Sequence, residues 1–294
     1  KGGAVLDSTI DNNTTGILLA WTAGGAAIDS TIDNIGPSGG IGGGMYLDGE
    51  NTLARNCIVR DNYAAISGGG VYLDQDSRAE GLSVINNTAR YGGGMHLETH
   101  SGAIKCKVLK NNAFGVWSPT AYYDGQGGGL FLSISSYAIG CMISDNTAGD
   151  RGGGVAFAGY NEMVSCVIDG NIASYYGGGV YADGGFMAHC TIVFNQANGV
   201  AGGGVHLKNG AAVSSSIVYY NSTAASSDNW LLEGGGNWIH HSCITPDPGA
   251  GLDDNITLDP RFSQAGTTTK HTLKRSSPCI DAGMGGGYTY PDYL

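Results

Sequence analysis

Aromatic side chains close to acids are the first residues in this sequence that could act on a ligand. Four short apolar runs each have an aromatic or histidine residue at the centre and a carboxylate two positions later. The central residues are Tyr46, Tyr72, His96 and Tyr181. Aromatic rings can stack on sugar rings, and carboxylates accept hydrogen bonds from hydroxyl groups. We predict that this row binds a glycan; the alternative is that the rings stack on one another and only stabilise the fold.

Basic side chains near the third of these runs are candidates for acid–base chemistry. Lys105 and Lys107 follow His96 closely in the sequence. A polysaccharide lyase needs a basic group that abstracts a proton, and a glycoside hydrolase needs two carboxylates about 5 to 9.5 Å apart, such as Asp48 and Asp74. No catalytic motif surrounds these residues. The sequence therefore favours a protein that is not an enzyme, with a polysaccharide lyase as the enzymatic alternative.

Two longer segments carry a second set of candidate ligand-binding residues. These segments, residues 112–126 and 222–233, interrupt an otherwise regular spacing of motifs. Insertions at equivalent points of a repeat emerge along the same edge of the structure. The candidate residues in them are Trp117, Tyr122, Tyr123, Asp124 and Trp230. Either these side chains form a binding edge, or they fold down to cover the end of a core.

A glycine triplet marks the repeat that would have to position all of these side chains. Triplets begin at residues 42, 68, 92, 127, 152, 177, 202 and 234, and a ninth begins at residue 285. Each of the first seven precedes a strand-like run such as Val71-Tyr72-Leu73. In such a run the outer side chains point to one face of a sheet and the central one to the other. The central row, with the acids two residues later, is therefore predicted to point outward.

A second motif recurs at a fixed distance after each triplet, with the pattern Cys-x-(Val/Ile)-x-x-Asn. Its cysteines are Cys57, Cys106, Cys141, Cys166 and Cys190, with Leu82 and Ser216 replacing cysteine in two repeats. Its asparagines are Asn62, Asn87, Asn111, Asn146, Asn171, Asn195 and Asn221. A repeat of about 25 residues with short strands and no helical periodicity predicts an all-β solenoid, in which equivalent residues stack into ladders. We expect the asparagines to lie at turns, where they tolerate positive φ and bond to the backbone of the next coil.

The same two motifs resemble right-handed parallel β-helix proteins of the pectate-lyase-like superfamily. The glycine triplet, the aliphatic strand and the (Val/Ile)-x-x-Asn sequence are closest to the repeats of polymorphic outer-membrane proteins, over residues 42–221. Residues 258–262 and 277–283 resemble the end of bacterial surface proteins of the choice-of-anchor Q type. The resemblance implies a right-handed parallel β-helix that is secreted or displayed at a cell surface. Activities vary widely on this fold, so it does not assign a chemistry.

Cysteine and metal chemistry are predicted to play a limited part. The five repeated cysteines should point inward as a ladder of buried free thiols. Cys243 and Cys279 lie outside the repeats, and the sequence leaves open whether they pair. Zinc-type spacings of Cys and His are absent from the sequence, so we expect no metal or cofactor. Calcium stays open, because the acids are compatible with it but match no specific loop.

The repeat pattern divides the chain into three parts. Residues 1–41 are predicted to form short, irregular coils, residues 42–244 regular coils, and residues 245–294 a segment that caps or extends the solenoid. Because exposed strand edges invite pairing, the ends are candidate surfaces for head-to-tail self-association. The residues assigned to this assembly are Gly2, Gly3, Ala4, Val5, Tyr288, Tyr290 and Tyr293. An unusually apolar outward row beside the cysteines is expected to associate laterally or to be covered by the tail.

Composition limits the partners of such a solenoid. The sequence has 14 Lys and Arg against 25 Asp and Glu, a net charge of −11, which would repel nucleic acid. It has no uninterrupted apolar run long enough for a membrane span. We therefore predict an extracellular or cell-surface β-helix with a structural or adhesive role, self-association and an extracellular polysaccharide as partners. The alternatives are a polysaccharide-active enzyme and a glycan-binding module.

Overall fold

The chain folds into a right-handed parallel β-helix built from short strands. The computed structural model describes residues 4–6, 9–11, 17–20, 26–28, 30–33, 40–115, 124–199, 202–224, 226, 228–249, 254–263 and 271–283. Within those ranges there is no helix, and the strands form four sheets in which every pair of neighbours is parallel. Each turn of the chain contributes one strand to each of the first three sheets, as the predicted solenoid requires.

The first and second sheets receive the strands that follow the glycine triplets. The strands of the first sheet are Ile17–Ala20, Met45–Asp48, Val71–Asp74, Met95–Leu97, Leu130–Ser133, Val155–Ala158, Val180–Asp183, Val205–Lys208 and Trp230–Glu233. The strands of the second sheet are Ala4–Leu6, Ala26–Ile28, Leu53–Arg55, Arg78–Glu80, Gly102–Ile104, Tyr137–Ile139, Glu162–Val164, Phe186–Ala188, Ala212–Ser214 and Trp238–His240.

The third and fourth sheets complete each coil before the next triplet. The strands of the third sheet are Thr9–Asp11, Thr31–Asp33, Ile58–Arg60, Ser83–Ile85, Lys107–Leu109, Met142–Ser144, Val167–Asp169, Thr191–Val193, Ile217–Tyr219 and Cys243–Ile244. The strands of the fourth sheet are Thr88–Ala89, Asn112–Ala113, Thr147–Ala148, Ile172–Ala173, Gln196–Ala197 and Ser222–Thr223.

The glycine triplet lets the chain turn where coils lie very close together. In the triplet Gly152-Gly153-Gly154, the first glycine has a φ of +66°, which disfavours other residues. A Cβ on Gly153 would collide with the carbonyl oxygen of Gly178 in the next coil. A Cβ on Gly154 would lie 2.8 Å from the carbonyl oxygen of Gly179. Each position of the triplet therefore has its own reason to be glycine.

The core is a continuous column of apolar side chains from all four sheets. In one coil, Met95, Leu97, Ala103, Val108 and Ala113 are fully buried. Equivalent residues stack above and below them, because the strands pair in register. Burial of each larger aliphatic side chain stabilises the fold by about 1.5 to 3 kcal/mol.

The predicted asparagine ladder is confirmed in the structure. Asn146 donates from its backbone N–H and from Nδ2 to Oδ1 of Asn171 in the next coil, each at 2.9 Å, and from Nδ2 to the carbonyl of Val108 in the preceding coil. Positive φ occurs one residue earlier than expected, for example at Asp145, where it is 56°. Beyond Asn221, Oδ1 of Asn229 accepts the same bonds at 2.9 and 3.0 Å and so caps the ladder.

The predicted cysteine ladder is also confirmed. The five repeated cysteines are free and buried. In each case the thiol lies near backbone carbonyl groups, as Cys166 does near those of Ala138 and Val164. These thiols fill space in the core beside the third sheet.

The first coils keep the register of the later ones. Ala4–Leu6 pairs with Ala26–Ile28 in the second sheet, and Thr9–Asp11 pairs with Thr31–Asp33 in the third. Their Gly-Gly pairs precede strands of the second sheet, whereas the later triplets precede strands of the first. This difference explains why the interval from glycine to asparagine is shorter in the first coils than in the later ones. The short interval was the reason to expect irregular coils in residues 1–41.

The C-terminal segment covers the outer face of the third sheet near its end. Phe262 is buried, and its ring lies 6.3 Å from Tyr220 and 5.7 Å from His271. Nε2 of His271 lies 3.3 Å from Oδ2 of Asp169, and both side chains are buried. Farther from this segment, Ile58 and Met142 of the same apolar face stay exposed. A tail therefore covers part of the face that the sequence singled out.

Candidate functional site

The outward row of the first sheet begins with a continuous stack of rings, the stacked stretch Tyr46, Tyr72, His96 and Phe131. Its ring centroids lie 5.2 Å apart for Tyr46 and Tyr72, and 4.8 Å apart for Tyr72 and His96 and for His96 and Phe131. The Tyr72 hydroxyl also donates to Glu98. These rings cover one another, so three of the predicted ligand-binding residues have the fold-stabilising arrangement that the sequence left as the alternative.

Carboxylates lie beside this stack in register. Asp48 pairs with Asp74 across neighbouring strands. Partial burial and the adjacent Asp74 raise the pKa of Asp48. Among the described residues, no group of three or more His, Cys, Asp or Glu side chains could hold a metal ion.

The stack stops at the next coil, where small residues open a groove. Ala156 occupies the row position of Phe131, and Ala158 that of Ser133. The groove encloses a volume of about 520 Å³. Its described lining consists of Gln126, Arg151, Phe157, Ala158, Tyr176, Tyr181, Asp183, His206, Lys208 and Glu233. Of the four row residues that the sequence analysis named as glycan-binding, Tyr181 is the one in the described lining of this groove.

Arg151 forms one wall of the groove. Its Nε donates to Oδ2 of Asp150 at 2.7 Å, and its Nη1 donates to the Tyr181 hydroxyl at 2.9 Å. The guanidinium carbon lies 4.6 Å from the centroid of the Tyr181 ring, within range of a cation–π contact. Burial opposes the charge, but the neighbouring Asp150 carboxylate keeps the pKa of Arg151 above its usual value. Arg151 is therefore a fixed cation beside an aromatic ring.

His206 lies between two tyrosine rings on the floor of the groove. The centroids of Tyr176 and Tyr181 are both 5.1 Å from the imidazole centroid. Nε2 lies 3.0 Å from Oε2 of Glu233, while buried Nδ1 has no hydrogen-bond partner in the part of the chain that the structure describes. Burial lowers the pKa of His206, although Glu233 opposes this effect. The neutral ring therefore presents Nδ1 as an acceptor when Nε2 carries the proton.

A more exposed ion pair completes the groove. Nζ of Lys208 donates to Oε1 of Glu233 at 2.8 Å. This bond lowers the pKa of Glu233 and raises that of Lys208. With Asp183 also in the lining, the groove offers both cations and carboxylates beside aromatic rings. Such a surface can donate and accept hydrogen bonds with a ligand rich in hydroxyl groups.

The candidate catalytic residues lie on different sheets. His96 is buried in the first sheet, and burial lowers its pKa to about 3. Lys107 is exposed on the third sheet, and Lys105 is exposed in the turn before it. The structure does not bring these three side chains into one site.

The candidate residues of the loops and of the chain ends lie in different parts of the structure. Asp124 is buried, forms an ion pair with Arg90 and accepts a hydrogen bond from the Tyr91 hydroxyl at 2.7 Å. Trp230 packs against the end of the core, and its Nε1 donates to the carbonyl of Pro246 at 2.9 Å. Ala4 and Val5 lie in the first strand of the second sheet. The remaining candidates lie outside the described residues: Trp117, Tyr122, Tyr123, Gly2, Gly3, Tyr288, Tyr290 and Tyr293.

Two residues of the groove, Arg151 and Tyr176, were missed by the sequence reasoning. Each immediately precedes a glycine triplet, and the two positions pair across neighbouring coils. The turn at the triplet sends the preceding side chain to the same side as the outward row of the next coil. Tyr91, at the same position, likewise packs on Phe131 at 5.5 Å. The residue before each triplet was therefore the signal that could have identified them.

Comparison with known proteins agrees with this architecture. The family described as "Right handed beta helix region" matches residues 1–114. No curated protein matches the sequence significantly. No described helix has the length and apolar character needed to cross a membrane.

Two solved structures are similar to this chain at low identity. QnrB1, a plasmid-mediated fluoroquinolone resistance protein, is 10% identical; the match covers 80% of this chain and 92% of that chain, with a TM-score of 0.25. A TibC-catalysed, hyper-glycosylated fragment of TibA is 13% identical; the match covers 83% of this chain and 98% of that chain, with a TM-score of 0.18. The four stacked parallel sheets show that the chain is built as a parallel β-helix of repeats, and the family match over residues 1–114 agrees with that fold.

Proposed function

We propose that this chain is an extracellular or cell-surface adhesive β-helix that binds a glycan in the groove of the first sheet. The groove itself supports the proposal: Ala156 interrupts a row that carries rings in the four preceding coils and in the two that follow, and Ala158 lines the groove beside it. A strand-wide groove on an elongated solenoid suits a chain-like ligand.

The chemistry of the lining favours a glycan over other classes of ligand. Tyr176 and Tyr181 provide apolar ring surface, while Arg151, Asp183 and Glu233 provide planar polar groups. A lining this rich in charged groups is a poor match for an apolar molecule. The net charge of −11 disfavours a nucleic acid.

The proposal is tested by filling the groove. Ala158 is exposed at the end of its strand, so Ala158→Trp should fold and occupy the groove. Asp48→Trp places the same side chain at the equivalent row position, beside the stacked stretch. After a glycan array has selected a ligand, we expect Ala158→Trp to weaken its binding by at least about tenfold in calorimetry. Asp48→Trp should bind like the wild type.

Three results would count against glycan binding at this place. They are equal affinity of both tryptophan variants and the wild type, equal loss in both variants, and an array without any retained glycan. Circular dichroism and thermal unfolding of each variant separate a filled groove from a misfolded chain.

A second candidate function is cleavage of the bound polysaccharide. It is favoured by the contact of His206 with Glu233, since a neutral imidazole in a binding groove can act as a base. Incubation with uronate polymers, followed by detection of unsaturated ends, tests this function. Activity lost in His206→Gln and kept in Lys107→Ala would place the reaction in the groove. The reverse pattern would favour the lysines that the sequence suggested.

Head-to-tail self-association is part of the proposed adhesive role and rests on the sequence. At the C-terminal edge of the third sheet, Ile244 donates to the carbonyl of Ile256, so this edge is already paired within the chain. Any association there would use the other sheets. Electron microscopy of a dilution series distinguishes filaments from dispersed monomers.

A further inference from the structure

Two cysteines outside the core ladder meet at the end of the third sheet. Cys243 lies in the strand Cys243–Ile244, at the outward position that Ile217 occupies in the preceding coil. Cys279 belongs to the C-terminal segment that lies on this face. Both side chains line a small cavity of about 40 Å³ together with Ile256. Two cysteines 36 positions apart in the sequence thus lie at the same cavity.

This pair differs from the cysteines of the ladder. Ladder cysteines such as Cys166 and Cys190 occupy one position in successive coils, so their Cα–Cβ bonds run parallel, which suits the geometry of a disulfide poorly. They are also buried, out of reach of an oxidant. Cys279 is only partly buried, and it approaches Cys243 from a separate segment.

The C-terminal segment is already seated where a bond between these cysteines would hold it. Phe262 and Leu273 form an antiparallel bridge, and the Ser277 hydroxyl donates to the carbonyl of Pro260 at 2.5 Å. The Tyr220 hydroxyl donates to Oδ1 of Asp259 at 2.7 Å, which joins the segment to the solenoid. The segment that carries Cys279 is therefore already held against the solenoid before any covalent bond forms.

We propose that Cys243 and Cys279 are a site of oxidative modification, where a disulfide fastens the C-terminal segment over the third sheet. The oxidant is an external disulfide such as oxidised glutathione. The Cys279 thiolate attacks one glutathione sulfur and releases the first glutathione thiolate. The Cys243 thiolate then attacks Cys279 and releases the second. The two protein thiols lose two electrons and two protons, and the products are the Cys243–Cys279 disulfide and two molecules of glutathione.

The surroundings of each thiol fit this order of events. The neighbouring Cys243 thiol and Ser277 hydroxyl lower the pKa of Cys279, which raises its thiolate fraction. Cys243 is buried, so it is placed to react with Cys279 and not with the external disulfide. This site lies on a different sheet from the groove, and its modification is independent of glycan binding.

Peptide mapping of the full chain tests the proposal. The folded protein is treated with excess oxidised glutathione, free thiols are alkylated in denaturant, and the chain is digested with trypsin without reduction. Cleavage after Lys208, Arg261 and Arg275 puts Cys243 in peptide 209–261 and Cys279 in peptide 276–294. We expect one cross-linked species that joins these two peptides, while the ladder cysteines are alkylated. Reduction should release both peptides.

Variants make the result specific. Cys279→Ser should abolish the cross-link and leave Cys243 alkylated, whereas the ladder variant Cys190→Ser should leave the cross-link unchanged. Serine already occupies the ladder position of the next coil at Ser216, so this control is expected to fold. Alkylation of both Cys243 and Cys279 in the oxidised wild type would overturn the proposal. So would a glutathione adduct that persists on Cys279, or a cross-link that appears only after unfolding.

Discussion

The stacked stretch and the groove occupy equivalent positions of the first sheet, but one is a closed surface and the other is open. From Tyr46 to Phe131 each outward ring covers the next one, and the surface is closed. At Ala156 and Ala158 the backbone continues in register while the side chains shrink. In this solenoid a local change of side-chain size is enough to make a site, because the strands around it stay in place.

The position before each triplet shows the same contrast. Tyr91 packs on Phe131, and its hydroxyl bonds to Asp124, so it helps to close the stacked stretch. Burial and this hydrogen bond raise the pKa of Tyr91 to about 12, so the hydroxyl stays protonated. Two and three coils on, Arg151 and Tyr176 pack on the rings of Tyr181 and His206 in the groove. The residue before the triplet therefore helps to close the stacked stretch in one region and lines the groove in the other.

The largest expected effect concerns the wall of the groove. Arg151→Met would leave the buried carboxylate of Asp150 without its cation, since both side chains are nearly buried. Breaking a buried pair in this way destabilises a protein by about 3 to 5 kcal/mol. We expect a decrease of this size in the free energy of unfolding, measured by denaturant titration.

An exposed pair of the second sheet provides the matched control. Nη2 of Arg55 donates to Oε2 of Glu80 at 2.8 Å, with the arginine side chain 46% exposed. Arg55→Met should cost less than about 1 kcal/mol. Equal costs for the two variants would contradict the idea that the groove wall is held by buried charge.

The next effect compares the two histidines of the outward row at acid pH. Burial lowers the pKa of His96 from 6.5 to about 3, and its Nε2 lies 3.3 Å from the Ser133 hydroxyl oxygen. Below about pH 6.5 the unfolded chain binds a proton that folded His96 does not bind until about pH 3. The stability of the fold therefore falls as the pH decreases through this window, by about 3 kcal/mol at pH 4.

Phenylalanine substitutions distinguish the contributions of His96 and His206 to this loss of stability at acid pH. His96→Phe copies Phe131 of the next coil and should remove this loss between pH 7 and pH 4. His206→Phe should recover less, because Glu233 opposes the lowering of its pKa. Denaturant titrations at both pH values measure the difference. If His206→Phe gave the larger recovery, the assignment of the two environments would be wrong.

The residue pattern predicted the fold well because its strongest constraints are local and repeated. Each triplet glycine meets a neighbouring coil, and each ladder asparagine bonds to the next asparagine, so both are nearly invariant along the chain. The strands of the second sheet were harder to predict. Their inward residues are often alanine, as at Ala54, Ala79 and Ala103, and short runs with small residues give a weak alternation signal.

The groove was harder to predict than the fold. It depends on a small residue, Ala158, at a position where most other coils carry a longer polar side chain, and on Arg151 and Tyr176, which lie outside both repeated motifs. Sequence analysis identifies a binding site by the functional side chains that are present. Here the groove forms where a larger side chain is replaced by alanine. The contact of Arg151 with Tyr181 joins residues 30 positions apart, which only the stacking of coils reveals.

A smaller effect is expected within the stacked stretch. Tyr72 contacts two rings, whereas Tyr46 contacts only Tyr72 among the described aromatic residues. Each such contact contributes about 0.5 to 1.5 kcal/mol. Tyr72→Leu should therefore lower the free energy of unfolding by about 2 kcal/mol, and Tyr46→Leu by about half as much. Equal costs would show that the rings stabilise the fold by burial alone and not through their mutual contacts.

The smallest effect is expected at the exposed ion pair of the groove, and it tests most directly whether the groove differs from the stacked stretch. The side chains of Lys208 and Glu233 are 32% and 50% exposed, so Lys208→Met should change the stability by less than about 1 kcal/mol, and the change should vanish at high salt.

The affinity of the same variant for the ligand distinguishes an anionic glycan from a neutral one. If the glycan is anionic, this variant should bind it more weakly and with a weaker dependence on salt, whereas a neutral glycan should bind almost as before. A loss of stability as large as that of Arg151→Met would mean that the groove, like the stacked stretch, is built to hold the fold together. A small loss means that its charges are available to a ligand.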